Sequence, residues 1–94
     1  MKRYHVIVEG RVQGVGFRGF CMRIALERHL TGSAANLDNG MVEIYVQGEP
    51  ADIDYFLAKV QAGDRFIRVD DMSIKETEVV EGEKRFGYGY GHSW

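Results

Sequence analysis

Cysteine occurs once, at Cys21, and proline once, at Pro50. A lone cysteine in an apolar stripe excludes an internal disulfide, fits a reducing compartment and favours a buried thiol over a nucleophile. No apolar run is long. The one that begins at Tyr4 is broken by Glu9 and Gly10, short of a membrane span or of the apolar region of a secretory leader. Nor is one sign of charge in excess: 12 Lys and Arg against 14 Asp and Glu give a formal net charge of -2. Non-specific nucleic-acid binding is therefore disfavoured, and any positive potential must come from placement. His5, His29 and His92 lack metal-ligand spacing, and no G-x-S-x-G or kinase-like set is present. His92 lies in a Gly-rich tail and is expected to be solvated. Repeats, low-complexity linkers and long charge runs are also missing, so the 94 residues are read as one domain, 1–94, with a modest core. The expectation is a cytoplasmic monomer with no metal, cofactor, nucleic-acid or membrane partner.

What the chain does have is glycine, 12 in all, and four of them fall in the ten residues from Gly10 to Gly19. The stretch Gly10-Arg11-Val12-Gln13-Gly14-Val15-Gly16-Phe17-Arg18-Gly19 lies between a strand-like and a helix-like run. Glycine lets the backbone take positive φ and come close to a ligand. Successive N–H groups can then converge beside a helix N-terminus, where the macrodipole already favours an anion. Arg18 in the first helical turn opposes that dipole, whereas its guanidinium fork matches phosphate oxygens. Three readings compete. One is a tight strand-to-helix turn with a surface arginine. Another is a dinucleotide fingerprint, because Gly14-x-Gly16-x-x-Gly19 satisfies G-x-G-x-x-G, but the chain is too short for several βαβ units. The third, which Arg18 favours, is a single-phosphate site with a charged clamp.

Along the chain, alternation predicts a central strand over about 3–9. Phe17, Phe20, Cys21, Ile24, Ala25 and Arg28 recur at helical spacing through about His29, and Thr31-Gly32 reads as the stop. Residues 33–38 can be extended. Asn39-Gly40 predicts a type I′ hairpin turn into a strand over 41–47, with Val42, Ile44 and Val46 facing the helices. Pro50 suits a first helical turn, and Ile53, Phe56, Leu57 and Val60 define a second helix ending at Gly63. From Phe66 to about Val79 the pattern is extended but slips phase near Asp70-Asp71, suggesting a bulge. Glu81-Gly82-Glu83 reads as a turn, and Phe86, Tyr88 and Tyr90 alternate with glycines. The sum is a ferredoxin-like α+β sandwich, βαββαβ, an antiparallel sheet with two helices on one face and an extra C-terminal strand in prospect.

Without an ionisable nucleophile or metal set, an enzyme of this composition is limited to an already activated substrate. A phosphorylated carboxylic acid qualifies, because its carboxylate leaving group needs no general acid. Such an enzyme need only neutralise and align the phosphate and hold a water in line. Asn36 is the candidate for that water. Asparagine is depleted in strands, and its amide can accept from and donate to water without adding charge beside a phosphate. The competing reading is a strand-end asparagine. Asp38 and Glu43 are read as solvated surface residues, since a carboxylate would repel the substrate.

These residues resemble the acylphosphatase family. Gly10-Arg11-Val12-Gln13-Gly14-Val15-Gly16-Phe17-Arg18 matches its signature G-x-V-Q-G-V-x-F-R at every fixed position, and Leu30 to Glu43 is similar to its G-x-x-x-N-x-x-D-G-x-V-E region. The resemblance implies hydrolysis of acyl phosphates to a carboxylate and inorganic phosphate without a metal. Arg18 would bind the phosphate together with backbone N–H groups of Gln13, Gly14, Val15, Gly16, Phe17 and Arg18 itself. Asn36 would orient the water. The chain departs from the family pattern at Asn39, Ser33 and Ala35 and in its Gly-Tyr-Gly-Tyr-Gly end. A second reading is a non-catalytic phosphate-binding or carbamoyl-phosphate-handling module on the same fold. A third, an RNA-binding sandwich suggested by Tyr45, Tyr88 and Tyr90, lacks the RNP1 pattern.

Overall fold

A computed structural model describes residues 1–90, with the backbone alone for 88–90. The expectation for His92 lies outside the described residues. The elements run β1 (Lys2–Arg11), α1 (Phe17–Glu27), β2 (Thr31–Asn36), β3 (Val42–Gly48), α2 (Pro50–Ala62), β4 (Arg68–Thr77) and β5 (Phe86–Tyr90). The sheet order is β4-β1-β3-β2-β5, the ferredoxin-like arrangement with one strand added. The four strands of that arrangement pair antiparallel as expected, and the added strand β5 pairs parallel with β2, from Gly32 opposite Phe86 to Asn36 opposite Tyr90. None of the described helices is long and apolar enough to cross a membrane.

The core forms where the apolar side of the sheet meets the helices. Val6, Val8, Val42, Ile44 and Val46 from the strands pack with Phe17, Cys21 and Ile24 of α1 and Ile53, Phe56 and Val60 of α2. Cys21 is fully buried, and that burial pushes its thiol well above its ordinary range, against a smaller opposing effect of a backbone hydrogen bond. The buried-thiol reading holds. Arg28, the polar member of the α1 stripe, lays its guanidinium 3.6 Å from the Tyr55 ring centroid and 3.4 Å from the Asp52 carboxylate, joining α1 to α2.

Three local expectations change. Helix α1 ends at Glu27, four residues before Thr31, because His29 takes the left-handed conformation (φ 57°). Gly32 is therefore not a helix stop but a strand residue at φ 139°, where a Cβ would collide with the Tyr45 carbonyl oxygen across the ladder. The β2–β3 hairpin is present, but Asn39 is not at positive φ as a type I′ turn requires. Leu37 N–H donates to Met41 O, Gly40 N–H donates to Leu37 O, and Gly40 takes φ 91°, which makes a three-residue loop. Asn39 Oδ1 accepts from Met41 N–H at 3.0 Å, so its turn role runs through its side chain. The phase slip near Asp70 is where it was expected: the β1–β4 register passes from Glu9 opposite Asp71 to Gly10 opposite Val69.

The second face of the sheet is less open than alternation implies. Gln47 points away from the helices yet is only 3% exposed, and Arg3 opposite it only 8%. The segment after β4 folds back over them. Val80 N–H donates to Gln47 Oε1, and Glu83 accepts from Arg3. Glu43, expected to be solvated, is half-buried and 2.7 Å from His5 Nε2; Asp38 is exposed as expected.

Candidate active site

Strand directions decide which residues meet. β1 and β2 each run antiparallel to β3, so they are parallel to one another and their C-terminal ends share one edge of the sheet. Val42 of β3 pairs with Val8 on one side and Asn36 on the other. β1 then continues into the glycine loop while β2 ends at Asn36. Thus the loop, the first turn of α1 and Asn36 arrive together although they are far apart in sequence.

They enclose an open pocket of about 270 Å³ lined by Val12, Gly14, Gly16, Phe17, Arg18, Gly19 and Asn36. Gly14 and Gly16 take φ 74° and 78°, conformations that side chains rarely adopt, and nothing lies within 4 Å of where a Cβ would stand on either. Their glycine identity is therefore required by backbone direction and not by crowding. Gly16 is the N-cap of α1, no side chain caps the helix, and its first turn holds no acidic residue. A helix start left without a side-chain acceptor is a place where an anion's oxygens can take N–H bonds. Phe17 is buried and anchors the turn in the core, while Arg18, one residue on, is half-buried at the pocket wall.

Asn36 lines the same pocket, and its Oδ1 is a buried side-chain acceptor with no hydrogen-bond partner. Among the described residues it is the single such atom. An unpaired buried acceptor costs about 1–3 kcal/mol. Native folds rarely leave one without a reason.

Of the residues singled out in the sequence, the structure thus brings Arg18 and Asn36 to one pocket with Gly14, Gly16 and Phe17. Gln13 and Val15 belong to the same loop without lining the pocket. Val15 packs against the core, and the Gln13 side chain reaches across to the β2–β3 turn, donating to Leu37 O at 2.8 Å and Met41 O at 2.9 Å. Val12 and Gly19 line the pocket and were not singled out individually. For Gly19 the sign was available, since a glycine in a first helical turn is unfavourable unless something must come close. No three of His, Cys, Asp and Glu are grouped to hold a metal ion among the described residues.

Comparison with known proteins agrees over nearly the full length. A family model described as Acylphosphatase matches residues 4–88. An acylphosphatase of Geobacillus thermodenitrificans is 50% identical over 91 residues, 97% of each chain. The crystal structure of acylphosphatase from Bacillus subtilis superimposes with a TM-score of 0.88 at 42% identity, covering 94% of this chain and 98% of that one. The structure of HypF from T. kodakarensis matches with a TM-score of 0.80 at 39% identity over all of this chain but 12% of that much larger one.

Proposed function

The chain belongs to the acylphosphatase family and is an acyl phosphate hydrolase; from that premise we propose how its pocket carries out the reaction. The phosphoryl group of the substrate sits in the glycine loop, its oxygens accepting from backbone N–H groups of Gln13, Gly14, Val15, Gly16, Phe17 and Arg18. The Arg18 guanidinium donates to the same oxygens and offsets their charge. Asn36 Oδ1 accepts from a water and holds it on the side of phosphorus opposite the carboxylate. As the water oxygen attacks, the phosphorus–oxygen bond to the carboxylate breaks and the water's proton passes to a phosphoryl oxygen. The products are a carboxylate and inorganic phosphate. A carboxylate leaves without protonation, so neither a general acid nor a metal or other cofactor is required. The small-molecule acyl phosphate is the only partner the reaction needs.

The observation that carries this reading is that Asn36, whose buried Oδ1 has no partner, lines the same pocket as Arg18. A bound water supplies the donor that the fold withholds. Steady-state hydrolysis of benzoyl phosphate, followed by its ultraviolet absorbance with chelator present, is the test. Arg18→Ala is expected to raise KM and lower kcat; Asn36→Ala is expected to lower kcat with little change in KM. Exchanged patterns would mean the two roles are assigned the wrong way round. Activity lost to chelator and restored by a metal would overturn the cofactor-free reaction, and phosphate binding with no turnover in the parent chain would favour the non-catalytic module.

A further inference from the structure

Gln13 is half-buried and its side chain spends its amide on backbone. Nε2 carries two hydrogens, and they are directed at two carbonyls, Leu37 O at 2.8 Å and Met41 O at 2.9 Å. These two carbonyls close the β2–β3 turn. Leu37 O already accepts from Gly40 N–H and Met41 O from Leu37 N–H, so Gln13 occupies a second lone pair on each. Their location matters more than their number. Leu37 directly follows Asn36, and Met41 directly precedes Val42, the residue paired with Asn36 across the ladder. One side chain therefore grips both strands of the hairpin just beyond the Asn36–Val42 pair. At its own end it is anchored next to Gly14, which lines the pocket.

We propose that Gln13 is a positioning residue for hydrolysis: its amide clamps the β2–β3 turn to the phosphate loop and sets where the Asn36 side chain stands relative to the bound phosphoryl group. This deepens the proposed reaction and rests on the reading of Asn36 as the residue that holds water. The loop alone fixes the phosphate and the strand alone fixes Asn36, so the distance between water and phosphorus depends on what joins them. A small misplacement of a reacting group costs about a hundredfold in rate. A leucine or methionine would fill the same space, but it would leave each carbonyl with its backbone donor alone and the phosphate loop held to the β2–β3 turn by packing, with only the β1–β3–β2 ladder connecting them through hydrogen bonds.

The clamp makes a prediction that a general stabilising contact does not. Loss of the Gln13 amide should act on kcat and only through Asn36. In Gln13→Met, kcat for benzoyl phosphate is expected to fall about 10- to 100-fold, while KM and the inhibition constant of inorganic phosphate stay within about twofold. Gln13→Glu, which keeps the shape and replaces the donors with acceptors, should fall at least as far. Adding Gln13→Met to Asn36→Ala should lower kcat no further, because the group being positioned is already gone. Circular dichroism confirms that each variant is folded before its rate is read. Parent-like kcat in Gln13→Met and Gln13→Glu beside a collapsed Asn36→Ala would overturn the clamp alone, as would a loss confined to KM or an equal fall in kcat on both backgrounds. Parent-like kcat in Asn36→Ala would overturn the reading of Asn36 itself.

Discussion

Two side-chain amides, Asn36 at the C-terminal end of β2 and Gln47 near the end of β3, occupy opposite ends of the same ladder and are treated in opposite ways. Gln47 is buried and satisfied: Oε1 accepts from Arg3 Nη1 at 3.1 Å and from Val80 N–H at 2.8 Å, and Nε2 donates to Val80 O at 3.0 Å. Around it, Glu83 accepts from Arg3 at 2.8 Å and from the Thr31 hydroxyl at 2.7 Å. Asn36 has a buried Oδ1 with no partner. Since a buried polar group is costly unless paired, the Gln47 end is built for stability, and the Asn36 end tolerates a deficit that stability cannot explain. The difference separates what holds the sheet from what the sheet is for.

Asn36→Ala is expected to produce the largest effect and the sharpest contrast. Removing a group that orients the reacting water should cost about 10²–10³ in kcat. Because the deleted acceptor is unpaired, the urea midpoint should stay at or above that of the parent. A large fall in midpoint would break the comparison, since it would show Asn36 to be a structural amide after all. Gln47→Leu should do the reverse. Stranding Val80 N–H and half of the Arg3 pairing should lower stability by about 2 kcal/mol, read from urea unfolding, with kcat within about twofold of the parent. A collapse of kcat there would mean that the two ends are coupled.

The sequence made one end of this contrast legible and hid the other. Asn36 stands out because an asparagine among Ala34, Ala35 and Leu37 contradicts strand preference, and the glycine loop stands out by composition. Arg3 and Gln47 do not. Alternation puts them on the face away from the helices, and what buries them is a segment 33–80 residues distant whose return over the sheet leaves no local trace. The same reason hides the Gln13 side chain, whose partners are main-chain carbonyls 24 and 28 residues away. Gly32 misleads for a different reason. Thr31-Gly32 after an amphipathic run satisfies the rule for a helix stop, but His29 absorbs the left-handed turn and leaves the glycine to let β2 approach β3. The alternation of Phe86, Tyr88 and Tyr90 suggests an extra strand that its glycines weaken, but not its pairing with β2 or its parallel direction, which depend on contacts distant in sequence.

Cys21 offers a third way for a buried polar group to exist, by remaining neutral. Burial raises its thiol pKa, so the folded protein keeps the proton under conditions in which the unfolded chain gives it up. Its contribution to stability is complete below the ordinary thiol pKa and is lost as pH rises beyond it, by about 1.4 kcal/mol for each further unit. Urea unfolding of the parent and of Cys21→Ala between neutral and alkaline pH should show that slope as the difference between the two curves. Parallel curves would place the thiol in contact with solvent and remove it from the contrast.

The smallest effect should come from the loop itself, where the backbone and not a side chain is held in an unusual state. Gly14 has φ 74° with nothing near its missing Cβ, so Gly14→Ala meets no clash and suffers only from the left-handed conformation. That costs about 1 kcal/mol, enough to weaken inhibition by inorganic phosphate about fivefold if the free loop relaxes away from the geometry that binds. Asparagine accepts the left-handed region more readily than alanine, and Gly14→Asn should therefore bind phosphate more tightly than Gly14→Ala despite its larger side chain. The opposite order would mean that space in the pocket, and not the direction of its N–H groups, is what glycine provides there. Strain at this end would then be incidental, and the unpaired oxygen of Asn36 alone would distinguish it from the satisfied end around Gln47.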